Sequence, residues 1–393
     1  MRGIQELVES PAVAETPEAR GLAAFGLPGS LQSGFVRISD DRWPAVANVL
    51  EREKLTGLAV AAVAADRLQL SPQAEADLLE RQRQAMLHVL AIERALVDVA
   101  GALQGSAIDS VVLKGPAVAH AFYPDPSWRP FRDLDLLVRT RDWDRVCGIL
   151  DDLGFRRALP EPRPGFDQRF GKAADFGANR SGVWIDLHRI LVVGPFGQWM
   201  NPDELFERTA QHEIGGILMA RLDDTAALLH AAAHAVLGWE THQLLALRDI
   251  AQIASAGYVD WDALPEWAGT WRLSGVLRYG LESASGTMDA ELPEEAAPLL
   301  SFEPRGRERR AMAAYTGARR KRGALEVATV GAIPGLRAKL AYLRALLLPT
   351  REFLVARTAS GSRPSYWRRW QVVFGWLAPQ RRRGVPRIRG ASR

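Results

Sequence analysis

The chain has 393 residues, 47% of them hydrophobic and 24% charged, with a single cysteine, Cys147; this is the composition of a globular protein of two domains or more, and it excludes an internal disulfide, argues against a Cys-rich zinc site and fits a reducing cytoplasm. No apolar run approaches the roughly 20 residues that span a bilayer, and the polar, acidic first 20 residues do not read as a signal peptide. The net charge of +4 is unevenly spread, since residues 301–393 carry 22 Lys and Arg against 4 Asp and Glu, net +18, which leaves −14 on residues 1–300.

Residues 1–40, rich in Pro, Gly, Ala and Ser, read as a loosely ordered leader. From Asp41 the texture changes to apolar residues at three and four spacing. This predicts an N-terminal helical region over 41–109: a helix capped by Asp40 or Asp41, a second over 58–68, and a long amphipathic one over 73–103 that packs on the following sheet through Leu78, Leu79, Met86, Leu87, Leu90, Ile92, Leu96, Val97 and Leu103. A core follows over 110–200. Its first strand, Val111-Val112-Leu113, breaks at Lys114-Gly115-Pro116. Pro116 suits a first helical turn, where its missing N–H has no intrahelical partner, so 117–123 reads as a short helix and Ser127-Trp128-Arg129-Pro130 as a loop. Residues 140–153 predict an amphipathic helix closed by Gly154, and 155–176 an irregular strand and flexible loop. From Pro202 the chain reads as almost wholly helical, with a helical domain over 201–300 (helices near 222–237, 244–256 and 261–281) and a basic helical tail over 301–393. In that tail Trp and Arg interleave over 365–377, the pattern of a snorkelling, interface-seeking helix, before the Arg381–Arg389 run.

The chemistry concentrates in Asp133-Leu134-Asp135-Leu136-Leu137-Val138. Strand side chains alternate between faces, so the two carboxylates share one side and the leucines pack beneath. Two adjacent acids repel, and a divalent cation with oxygen ligands relieves that repulsion. Val183-Trp184-Ile185-Asp186-Leu187-His188 repeats the design. If the two strands pair, three carboxylates converge, enough to hold two Mg²⁺ or Mn²⁺ ions for an in-line displacement at phosphorus. Lys114, with Arg129 and Arg132 near the mouth of the site, supplies positive charge for a triphosphate or leaving pyrophosphate. His188, on the face of Asp186, is a candidate to orient a metal ligand or the substrate. His230 and His234 lie four apart in Leu-Leu-His-Ala-Ala-Ala-His, ahead of His242 and Asp249; the spacing could place two imidazoles on one metal, but no Glu follows His230 and the flanking alanines read as close helix packing, so a substrate pocket or a buried hydrogen-bonding role is favoured.

Leu113-Lys114-Gly115, a short helix, Arg132-Asp133-Leu134-Asp135-Leu136-Leu137-Val138 and the later Asp186 strand together resemble the nucleotidyltransferase fold shared with DNA polymerase β, and more narrowly a bacterial family of uncharacterised nucleotidyltransferases. The resemblance implies an α+β chain, with a small mixed sheet and helices forming the polymerase β-like core between N- and C-terminal helical regions. It implies that Asp133 and Asp135 hold both metals and that Asp186 completes the catalytic one and helps deprotonate the attacking hydroxyl, with Lys114 and Gly115 at the nucleotide. The superfamily's turn usually continues from Gly to Ser or Gly, whereas this chain has Gly115-Pro116, so contact with a triphosphate leans more on Lys114 and Gly115.

The function expected is metal-dependent transfer of NMP from an NTP, ATP among them, to a hydroxyl or phosphate acceptor, with release of pyrophosphate. Two alternatives carry different chemistry: a glycosyltransferase using its D-x-D pair on a nucleotide-sugar, or an inactive nucleotide-binding scaffold. The basic tail predicts a cytoplasmic protein able to sit peripherally at an anionic membrane. The acidic body makes nucleic acid a less favoured partner.

Overall fold

The computed structural model describes residues 16–29, 36–178, 182–238, 243–256, 258–320, 323–358 and 365–377. His242 and the Arg381–Arg389 run lie outside them.

Within the expected leader, Thr16 caps a helix, α1 (Pro17–Ala23), whose Leu22 and Ala23 are buried. The buried Arg248 donates to the carbonyls of Ala23 and Phe25, tying this segment to the body. The strand β1 (Val36–Arg37), helices α2 (Trp43–Arg52) and α3 (Thr56–Ala64), strand β2 (Leu68–Gln69) and the 34-residue α4 (Pro72–Gly105) follow. Neither Asp40 nor Asp41 caps α2, which starts after Arg42 without a side-chain cap. Ser71 caps α4 through Ala74 N–H, with Pro72 at its first position.

The core comprises β3 (Ser110–Leu113), α5 (Lys114–Phe122), β4 (Leu134–Val138), α6 (Trp143–Asp152), β5 (Phe155–Arg157), α7 (Phe166–Phe170), β6 (Ala173–Ala178), β7 (Trp184–His188), α8 (Gly194–Trp199), β8 (Thr209–Ile214) and β9 (Ile217–Leu222). Seven strands form one mixed sheet in the order β5-β6-β7-β4-β3-β9-β8. The hairpin β8–β9 corrects the helical reading after Pro202: Gly215 and Gly216, at φ 61° and 79°, make the tight turn that joins two antiparallel strands, and β9 pairs parallel with β3. The sheet therefore runs past residue 200 to Leu222.

Alternation along the strands divides the interior. Val112, Leu134, Leu136, Ile185 and Leu187 face α4 and α6, meeting Ile92, Leu96, Leu103, Val146 and Leu150 in one core. Each such aliphatic side chain, fully buried, contributes roughly 1.5–3 kcal/mol. Leu79, Leu87 and Leu90 do not join them and are about half exposed on the outer face of α4. The opposite face carries Val111, Leu113, Leu137 and, at the alternate positions, Asp135 and Asp186. It is covered by a helical layer of α9 (Asp224–Leu237), α10 (Gln243–Ser255), α11 (Leu264–Thr270) and α12 (Ser274–Met288), which shares a second core with α1–α3. The expected helix over 261–281 is two helices, broken where Arg272 adopts φ 56°. Short α13 (Ala297–Leu300), then α14 (Gly306–Arg320), α15 (Ala324–Ala332), α16 (Leu336–Leu347), α17 (Arg351–Ala356) and α18 (Tyr366–Leu377) complete the chain. No helix among the described residues is long and apolar enough to cross a membrane.

Candidate active site

The site forms because β4 is central: it pairs antiparallel with β3 on one side and parallel with β7 on the other. In those registers Leu113 stands opposite Asp135, and Asp135 directly opposite Asp186. β6 extends the row, placing Asp175 opposite Asp186. Partners directly opposite have Cβ atoms about 5 Å apart, so three aspartates cross adjacent strands on the face toward the helical layer.

Lys114 follows Leu113 immediately and adopts φ 36°, a left-handed backbone that costs a non-glycine residue on the order of 1–3 kcal/mol. The turn brings its Nζ to 2.8 Å from Asp135 Oδ1. His188, two residues beyond Asp186 and fully buried, sets Nε2 at 2.8 Å from the same oxygen, and its Nδ1 lies 3.2 Å from the carbonyl of Ile190. Burial alone would raise the pKa of Asp135, but Lys114 and His188 bring it well below the usual carboxylate range. Burial, reinforced by Lys172, lowers that of His188. The neutral ring then has one hydrogen, which we assign to Nε2 because the carboxylate is the nearer and stronger acceptor. Asp186 is pushed the other way, up to about 7, first by burial and then by the charges of Asp135, Asp175 and Asp133.

Asp135, Asp186 and His188 place one ligand atom each within 4.8 Å of one another. Asp133 is not in this compact group; β4 begins one residue after it, and Asp133 lines a cavity of about 30 Å³ together with Asp135, Lys54, Lys114, Arg129 and Asp249. That space suits a water or two. Lys54 and Phe131 also line a neighbouring groove of about 370 Å³ between α2–α4 and the 130–132 segment, where Arg132, Arg81 and His88 are found. His230 and His234 of α9 line a further small cavity with Lys114. Burial lowers the pKa of His230 well below that of a free imidazole, followed by the charge of Lys114.

Arg129 and Arg132 separate in role. Arg132 is exposed at the groove, donating to the Glu51 carbonyl at 3.3 Å. Arg129 is buried and bidentate to Asp249, at 2.8 and 2.6 Å, while its third nitrogen donates to the Gly115 carbonyl at 3.3 Å. Tyr123 O–H donates to the same carboxylate at 2.8 Å. Arg129 thus ties the Lys114-Gly115 turn to α10, and removing one partner of such a buried pair costs about 3–5 kcal/mol. Its loop is fixed in turn by Gln82, which accepts from Thr56 and donates to Ser127. Gly57 is obligatory beneath it, because a Cβ there would lie 2.1 Å from the Ser127 carbonyl oxygen.

Sequence reasoning passed over Asp175, Lys54 and the anchoring role of Asp249. For Asp175 a signal exists: Ala174 and Phe176 flank it as Ile185 and Leu187 flank Asp186.

A family model described as uncharacterised nucleotidyltransferase matches residues 39–289. Among solved structures, an antigenic nucleotidyltransferase-like protein from Paracoccidioides brasiliensis is similar at 15% identity, over 52% of this chain and 95% of its own, with a TM-score of 0.33. No curated protein matches the chain.

Proposed function

The chain belongs to the uncharacterised nucleotidyltransferase family, and from that premise we propose that it transfers NMP from an NTP to a hydroxyl or phosphate acceptor and releases pyrophosphate. The observation that carries this reading is the direct pairing of Asp135 with Asp186 on adjacent parallel strands, with Lys114 delivered to the same point.

The donor set fits a divalent cation. Two carboxylates and an imidazole lie close enough to share one ion, His188 ligating through Nε2 once its hydrogen passes to Nδ1 and the Ile190 carbonyl, and the oxygen-rich surroundings, with Asp133 and Asp175 nearby, suit Mg²⁺ or Mn²⁺. Asp135 and Asp186 would hold the catalytic ion and Asp133 with Asp135 a second; bound there, such ions supply charge neutralisation at the α-phosphate and at the leaving pyrophosphate. The protein's own groups do the rest. Asp186 would also take the proton of an acceptor hydroxyl as its oxygen attacks the α-phosphorus and the bond to the β-phosphate oxygen breaks. Lys114 turns from Asp135 to the phosphates, while Arg129 keeps the Gly115 backbone in place. The nucleoside occupies the adjoining 370 Å³ groove, in the size range of ligand pockets, with Arg132 at its edge and the phosphates directed toward Lys114 and Asp133. His188 orients Asp135, and His230 and His234 border the substrate side of Lys114.

The test is titration of each NTP with Mg²⁺ or Mn²⁺ into the wild type and Asp135→Asn, followed by a pyrophosphate-release assay with candidate acceptors. Metal-dependent binding that the variant loses supports the reading. Binding that survives chelation and the substitution sinks it. One observation favours a second reading, a nucleotide-binding scaffold without turnover: Lys114 and His188 already occupy one oxygen of Asp135 and offset its charge. It predicts NTP binding with no pyrophosphate released for any acceptor.

A further inference from the structure

Away from the active-site row, a groove of about 400 Å³ runs between α7 with its leading loop and one face of α16. Four arginines line it, Arg163 and Arg169 from one wall and Arg337 and Arg344 from the other, and no carboxylate does. Among the described residues Arg169, Arg337 and Arg344 have no acidic partner within ion-pair distance. Arg163 donates to the Leu348 carbonyl at 2.7 Å, fixing one wall against the other, and Tyr342 stacks on Phe166 with ring centroids 5.7 Å apart. The first turn of α16 holds Arg337 and no acid. A cation there opposes the positive end of the helix dipole, an arrangement that an external anion relieves.

The floor and rim of this basic groove are apolar and exposed. Leu340 lines it at 56% exposure, and Leu336, one helical turn earlier on the same stripe, is 72% exposed. α18 packs against the far end of α16 through Tyr366 O–H to the Pro349 carbonyl and Trp370 Nε1 to the Leu347 carbonyl, and carries Trp367, 65% exposed. Arginines alone would suit any polyanion. Aliphatic side chains projecting beside them have nothing to gain from a nucleic acid backbone but gain burial at a lipid interface, where Trp also concentrates.

We propose that the α7–α16 groove and the exposed Leu336–Leu340 stripe form a docking site for an anionic phospholipid surface, the arginines taking headgroup phosphates and the leucines entering the interface. The interaction belongs to the folded C-terminal helices, and so differs from a charge attraction through residues 378–393.

The experiment is co-sedimentation of the full chain with vesicles of 30% phosphatidylglycerol in phosphatidylcholine, beside pure phosphatidylcholine, at low and physiological salt. Two double variants leave residues 378–393 intact: Arg337→Glu with Arg344→Glu, and Leu336→Ser with Leu340→Ser. All four positions are exposed, and circular dichroism with thermal unfolding reports that each variant remains folded. Expected is binding to the anionic vesicles alone, weakened by salt, with partitioning reduced at least tenfold by the arginine pair, since each basic residue near such a surface contributes about a factor of five, and severalfold by the leucine pair. Equal binding to neutral vesicles, or anionic binding that both variants keep, overturns the proposal, the latter assigning it to the terminal basic segment. A single-stranded oligonucleotide bound with the same arginine dependence while vesicles are not would make the groove a nucleic-acid site. Sedimentation as a dimer that the leucine variant dissociates, without vesicle binding, would assign the stripe to self-association.

Discussion

Asp186→Asn in the metal-free protein tests the crowding of carboxylates most directly. Asp186 titrates near 3.8 in an unfolded chain and is held up to about 7 in the fold, first by burial and then by Asp135, Asp175 and Asp133. The sign follows from linkage: below pH 3.8 the carboxyl is protonated in both states and costs nothing, between 3.8 and 7 the unfolded chain releases the proton more readily, and above 7 the full penalty stands. At 1.36 kcal/mol per pKa step the penalty is roughly 4 kcal/mol, an upper figure because Asp135 and Asp186 titrate as a pair. Asparagine keeps the shape without the charge. His188 and His230, whose pKa values are lowered, give the opposite slope below pH 6.5, since the unfolded imidazoles take protons first. The informative quantity is therefore the difference between wild type and variant. Denaturant unfolding in chelator at pH 4.5 and 8 should show the variant gaining on the wild type by about 2–4 kcal/mol between those pH values. Mn²⁺ at pH 8 should then stabilise the wild type and close the gap. Stability curves that run parallel from pH 4.5 to 8 would refute the crowding of Asp186.

Three other substitutions probe its surroundings. On the proposed mechanism Lys114→Met should move two affinities in opposite directions, because Lys114 pairs with Asp135 and would turn to the triphosphate: Mn²⁺ alone binds more tightly and Mn²⁺-NTP more weakly, both read by calorimetry. Asp175→Asn removes the charge opposite Asp186, and two charges about 5 Å apart in a water-like dielectric shift a pKa by about half a unit, so the lower limb of the pH–activity profile should move down by about that much. Gly57→Ala forces a methyl into the Ser127–Trp128 backbone; thermal unfolding should show a loss of about 1–3 kcal/mol, the range for overpacking, and NTP affinity should fall with it because the same loop carries Arg129.

The fold was legible where periodicity and stops agreed. Ser71-Pro72 and the three-four spacing announce α4, and Gly154, at φ 88°, ends the turn after α6 as a C′ glycine does. Residues 209–222 show how a strong prior misleads: Thr-Ala-Gln-His-Glu-Ile and Ile-Leu-Met-Ala-Arg-Leu alternate imperfectly, yet Gly215-Gly216 between them is a hairpin turn signal that outweighs the helical texture on either side. Leu79, Leu87 and Leu90 show the limit of composition. Sequence gives the apolar content of a 34-residue helix, but which of its stripes meets the sheet depends on where the strands lie.

At the candidate site, local sequence picked out the acids and tertiary pairing decides how they are arranged. Asp135 and Asp186 were each readable as an acid between buried neighbours, and only the β4–β7 register makes them partners. Arg129 looked like a phosphate ligand because it precedes the acidic strand; its occupation by Asp249, 120 residues away, is a long-range pairing that no local pattern encodes. Asp133 and Asp135 both line the small cavity beside Lys114, as residues i and i+2 should, but β4 starts at Leu134 and only Asp135 pairs into the row opposite Asp186. A D-x-D pair at a strand's edge therefore divides its labour. The inner carboxylate is held by Lys114 and His188, and the outer one, ahead of the strand, stands on the wall of the cavity the two share.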